Sequence, residues 1–180
     1  MGAAALATAL FLSGCSADGG LKNPLSPEEV DLDGVYNDSA HKQAATSEEG
    51  VESGLLPSWV PAGGTHIQLQ QRSTGHERIF VMDYAGNLPA DCKSIGAPGS
   101  PTDKELATAY KSDQRTSDMD PTDIVDFRTL EADWWPDNAE DRTTDLCGRW
   151  WVHQDGGKLY AFAPDVAGVA NKVMEERSKE

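Results

Sequence analysis

Long apolar runs, basic residues and cysteines are all scarce in this chain, and each scarcity excludes something. The apolar run Ala3 to Leu12 has ten residues; as a helix it reaches roughly 15 Å, about half a hydrocarbon core, so it is no transmembrane span. Fifteen basic residues face thirty acidic ones, for a formal charge of −15. A phosphate backbone needs a basic surface, so nucleic acid is not an expected partner, and anionic headgroups would repel such a surface too. The three cysteines, at 15, 92 and 147, form neither a CxxC nor a zinc-ligand pattern. GxSxG, Walker, GxGxxG and HExxH sequences are absent. No cofactor, metal or catalytic residue is therefore assigned, although an acid and base brought together from distant positions stays open.

What is present begins at the N-terminus. The uncharged run has the length of a secretory h-region, and small residues follow it as a cleavage site requires. No Lys or Arg precedes it, whereas secretory signals ordinarily begin with positive charge, so the expectation is that the true start lies upstream or that the first residues have been trimmed. The N-myristoylation pattern fails at Leu6, where Ser or Thr is wanted. Leu12-Ser13-Gly14-Cys15 resembles the lipobox of bacterial lipoproteins. The resemblance implies a diacylglyceryl group on the Cys15 thiol, removal of residues 1–14, and an anchor on the extracytoplasmic face of the cell membrane; two acyl chains hold where one is marginal. The competing reading is a buried N-terminal helix with a core cysteine. With Cys15 assigned to lipid, Cys92 and Cys147 remain as an even pair in an exported chain, and a disulfide is expected. Two free buried thiols are the alternative.

Composition divides the chain into a signal peptide (1–14), a lipidated cysteine with a disordered acidic tether (15–56) and one globular domain (57–180). Residues 16–56 hold nine acids against two lysines and a single aromatic, Tyr36, a composition too polar to fold alone. Ser39-Ala40-His41-Lys42 has the SxxK spacing of penicillin-binding enzymes but lacks its companion motifs, and the sequon Asn37-Asp38-Ser39 is taken as incidental. From Pro57 onward lie all five tryptophans and both remaining cysteines.

Within that domain, Thr65 to Gln71 alternates apolar and polar residues, and with Arg78 to Tyr84 it predicts a hairpin. Thr102 or Asp103 caps a short helix through about Lys111. The stretch "DFRTLEADWW" reads as a strand stopped by Pro136. Asp155-Gly156-Gly157 joins two β-rich runs in a tight hairpin, and Val166, Val169, Ala170 and Val173 recur at helical spacing in a terminal helix. The expected fold is α+β, a mostly antiparallel sheet of about five strands with one or two packed helices.

Three groups carry candidate chemistry. Histidines 66 and 153 sit on expected strands, and the plain expectation for both is a partly exposed polar residue. Glu131, Asp133, Asp137, Glu140, Asp141 and Asp145 cluster in sequence and could bind a hard cation or supply an acid and base pair. Adjacent strand residues point to opposite faces, so one of Trp150-Trp151, and one of Trp134-Trp135, should be left outside a one-sided core. With Tyr160 these four form a candidate aromatic ligand surface; a second small core beneath the terminal helix is the alternative. The segments "LPSWVP", "LEADWWP" and "WWV…LYAFAP", with the lipobox, resemble those of actinobacterial lipoproteins. That resemblance implies localisation and a single domain, and carries no catalytic residues. The expected function is a non-enzymatic, lipid-anchored binding or accessory module that meets cell-wall glycan or an envelope protein. A small cell-envelope hydrolase using carboxylates of the 131–145 stretch is the rival.

Overall fold

The computed structural model describes residues 35–114 and 116–180. The expected signal peptide, Cys15 and the first part of the expected tether lie outside these residues. Seven strands form a single sheet: β1 (Ser39–Thr46), β2 (Thr65–Arg72), β3 (Arg78–Asp83), β4 (Lys93–Ser94), β5 (Asp145–Cys147), β6 (Trp150–Asp155) and β7 (Lys158–Ala163). Their order is β1-β2-β3-β7-β6-β5-β4, and every pair is antiparallel. Three α-helices accompany it among the described residues: α1 (Ser47–Glu52), α2 (Asp103–Tyr110) and α3 (Ala167–Arg177).

Local chemistry accounts for the elements read from sequence. In the β2–β3 hairpin Leu69 lies opposite Phe80, and Ile67, Leu69, Phe80 and Met82 are all buried on one face, as a period of two demands. The β6–β7 turn is Gly156-Gly157, with φ of 56° and 78°; a two-residue hairpin loop that matches strand twist needs positive φ at both positions, which glycine supplies without strain. Helix α2 starts with a full capping box: Thr102 accepts from the Glu105 amide, and the Glu105 carboxylate accepts from the Thr102 amide.

Four expectations need correction. The sheet has seven strands, not about five, because β1, β4 and β5 add to its two edges. The ordered domain does not begin at Pro57: β1 and α1 lie inside the expected tether, and β1 pairs with β2 from Ser39↔Arg72 to Thr46↔Thr65. As an edge strand β1 buries little, so its composition reads as polar linker; its partner supplies the order that composition lacks. The SxxK serine, Ser39, accordingly stands on a strand and not at a helix start. Residues 126–135 form no strand. The Thr129 and Leu130 amides donate to the Glu77 carboxylate at 2.6 and 2.8 Å instead of to a neighbouring strand.

The last correction concerns sidedness. Trp150 and Trp151 are each 2% exposed, because the sheet is covered on both faces. Trp150 joins Leu56, Val60, Ile67, Phe80 and Met82 under the segment that follows α1. Trp151 points the other way, among Leu106, Ala109 and Tyr110 of α2, Leu130, Trp135 and Phe162. The second core thus lies beneath α2 and the irregular 129–139 segment, and not beneath the terminal helix. Helix α3 buries Ala170 and Val173 outside these two clusters and is fastened by polar contacts as well: Glu176 accepts from the amides of Tyr36 (3.2 Å) and Asn37 (2.7 Å). Arg177 donates to the Asn37 side chain and to the Thr129 carbonyl.

Candidate functional site

The second face of the sheet carries the most suggestive arrangement. Pairing aligns Gln43, Gln68, Val81, Tyr160 and His153 in one row across β1, β2, β3, β7 and β6. Beside it runs a parallel row of His41, Gln70, Ile79, Phe162, Trp151 and Leu146. The 129–139 segment lays Trp134 and Trp135 over this surface. Aromatic rings then follow one another: His41 to Trp134 at 6.2 Å, Trp134 to Trp135 at 6.1 Å, Trp135 to Tyr160 at 5.8 Å, and Tyr160 stacked flat on His153 at 4.8 Å. The edge-on and stacked geometries are those that aromatic quadrupoles favour.

Of the five aromatic residues proposed from sequence, the structure brings together Trp134, Trp135 and Tyr160. Trp134 and Tyr160 are half-buried, whereas Trp135 is buried and donates its indole N–H to Glu140 at 3.1 Å. Trp150 and Trp151 belong to the two cores and take no part in an exposed platform. The surviving surface is a shelf of two partly exposed rings bordered by amides. Gln43 is exposed and Gln68 half-buried.

His153 was expected to be partly exposed, yet it is buried at 4% exposure. Its Nε2 has no hydrogen-bond partner. Burial, aided by the nearby Arg142 charge, pushes its pKa down to about 4, because removing an imidazolium from water disfavours the charged form. The ring is therefore neutral at physiological pH. His66, by contrast, is exposed and bonds Asp83 at 2.9 Å.

The acidic run does not converge. Glu131 pairs with Arg177 at 3.1 Å, Glu140 faces Trp135 and Arg128, and Asp145 accepts from Ser94 and Thr144, each at 2.8 Å. Asp133, Asp137 and Asp141 are exposed. Among the described residues no group of three or more His, Cys, Asp or Glu is placed to hold a metal ion, and no helix is long and apolar enough to cross a membrane.

Cys92 and Cys147 form the expected disulfide, with Cα atoms 4.2 Å apart. The bond continues the register of β4 on β5, in which Lys93 lies opposite Leu146, so the two cysteines stand directly across from one another.

Sequence reasoning passed over the buried polar knot that holds the 129–139 segment. Arg72 is 3% and Glu77 1% exposed. Glu77 receives the Arg72 guanidinium at 3.1 Å, the Thr129 hydroxyl, and the amides of Thr129 and Leu130. Arg72 also donates to the Tyr36 carbonyl at 2.7 Å. The signal in sequence was slight: two charged residues five apart, at either side of a hairpin turn. His41, Gln43 and Gln68 were missed because only cross-strand register places them beside the tryptophans. Comparison with protein-family models, curated proteins and solved structures returned no match.

Proposed function

We propose that this chain is a lipid-anchored extracytoplasmic module with a non-enzymatic binding task, and that its ligand is a neutral glycan of the cell envelope. The observation that carries the binding half is the shelf. Its partly exposed rings, Trp134 and Tyr160, can pack against the C–H faces of sugar rings, and Gln43 and Gln68 offer amide donors and acceptors on the same face of the sheet. Over β1, β2, β3, β7 and β6 the two cross-strand rows that form the shelf contain no Lys, Arg, Asp or Glu, which suits an uncharged polyhydroxylated ligand better than an ionic one.

The anchoring half rests on the Leu12-Ser13-Gly14-Cys15 sequence. It is supported by the Cys92–Cys147 bond, since disulfides persist in oxidising compartments. Fastening of Tyr36 and Asn37 to Glu176 moves the end of the proposed tether back from residue 56 to a point before residue 36.

Two experiments test this reading. Wild type and Cys15→Ser are compared for membrane association and N-terminal peptide mass; lipid on Cys15, with residues 1–14 missing and the variant released, is expected. A wild-type chain that is soluble with an intact N-terminus refutes the anchor. Cell-wall glycan fragments are titrated against the full chain and Trp134→Ala; weakening by about tenfold, in the range of one lost aromatic contact, is expected. Equal affinity in the variant refutes the shelf.

A further inference from the structure

At the far end of the same face, five strand steps along the row from His41 to Leu146, lies a cleft of about 350 Å³ between β4 and α2. Its size is that of a small-ligand site. Ile95, Ala109 and Leu146 give it an apolar floor, and Lys93 and Lys104 stand at its rim. Sequence reasoning did not single it out, because its two walls are brought together only by the sheet edge.

The hydrogen-bonding inventory narrows what can enter. Glu105 is the one carboxylate lining the cleft, and its oxygens are taken up by the amides of Gly96 and Thr102 and by the Thr102 hydroxyl. The Thr108 hydroxyl donates to the Lys104 carbonyl at 2.9 Å, and Ser94 donates to Asp145. The amide of Ile95 donates to the Thr144 carbonyl. The hydroxyl hydrogens and the Ile95 amide are thus committed, and in the first turn of α2 the Glu105 amide donates to the Thr102 hydroxyl and the Leu106 amide to the Thr102 carbonyl. Lys93 spends one donor on the Ala90 carbonyl at 3.1 Å, and among the described residues no hydrogen bond or ion pair engages the Lys104 ammonium. What the cleft still offers is cationic donors above an apolar floor, on a molecule whose net charge is −15.

We propose that this cleft binds a small carboxylate with an apolar body, of the medium-chain fatty-acid type. The apolar body covers Ile95, Ala109 and Leu146, and the carboxylate meets Lys93 and Lys104. A peptide adding to the β4 edge fits less well, because the strand is two residues long and the neighbouring amides are already bonded.

The test uses the full chain carrying Cys15→Ser, with sodium octanoate as probe, read by calorimetry and by amide NMR shifts. Saturable binding is expected, with shifts gathered at Ile95, Ala109 and Leu146. Octanol, which has the same body without the charge, and Lys93→Glu/Lys104→Glu should each bind at least about tenfold more weakly, with salt reducing the octanoate affinity. Thr108→Trp, which fills the cleft without touching charge, should abolish the shifts and serves if the charge-reversed chain misfolds. Failure of octanoate to bind, equal binding of octanol, or shifts that survive Thr108→Trp would each overturn the proposal. So would binding of an apolar peptide in the cleft where octanoate does not bind.

Discussion

His153 shows how a single residue couples burial to pH. Its neutral form is held in the folded chain with a pKa near 4, whereas the unfolded chain has an ordinary imidazole that titrates near 6.5. The unfolded state therefore binds the extra proton first. Its contribution is present in full above about pH 6.5 and is lost as pH falls toward 4, by about 2–3 kcal/mol. His153→Phe keeps a ring on Tyr160 and removes the proton site. Its urea midpoint should fall less than that of wild type between pH 7 and 4.5, and parallel curves would show that His153 is not the group responsible. Glu77 is the second decisive residue. Glu77→Ala leaves the Arg72 guanidinium buried without its partner, a loss of about 3–5 kcal/mol. Arg72→Met/Glu77→Leu removes both charges and should recover part of that loss in chemical unfolding.

At the scale of elements, the strand that composition disguised has the largest consequence. Without β1, the β2 edge opens and Arg72 loses its Tyr36 carbonyl, while Glu176 loses the amides of Tyr36 and Asn37. A chain starting at residue 36 should melt cooperatively, and one starting at 57 should lose cooperativity or melt more than about 10 °C lower, since each 1 kcal/mol shifts a domain of this size by several degrees. Circular dichroism on both decides it; equal melting would return the domain boundary to Pro57. Elements differ in how legible they are for a physical reason. The β2–β3 and β6–β7 hairpins and α2 carry their instructions locally, in alternation, in Gly156-Gly157 and in the Thr102–Glu105 cap. β1, β4 and β5 are short or polar and exist because a partner strand is there, and "DFRTLEADWW" yields its strand propensity to the Glu77 carboxylate, a group about fifty residues away.

For the whole molecule, the Cys92–Cys147 bond closes a loop with a sequence separation of 55, worth roughly 4 kcal/mol on the chain-entropy account. Cys92→Ala/Cys147→Ala, or reduction of wild type, should lower unfolding stability by about that amount, and an unchanged denaturant midpoint would remove the bond from the list of stabilising features. The pairing was legible because two cysteines remain once Cys15 is set aside, and so were the hairpins, the capped helix and the turn at Gly156-Gly157. These depend on residues near one another in the chain, or on counting. The part of the candidate site that was legible is the aromatic composition of Trp134, Trp135 and Tyr160; which tryptophans face outward was not. Adjacent Trp150 and Trp151 can both be buried only if both faces of the sheet are covered, and what covers each face is supplied by segments distant in sequence. Periodicity records that a side chain points to one face or the other. It carries nothing about what lies across that face, and so sidedness, the shelf beside Trp134 and the cleft beside Leu146 were decided by tertiary packing alone.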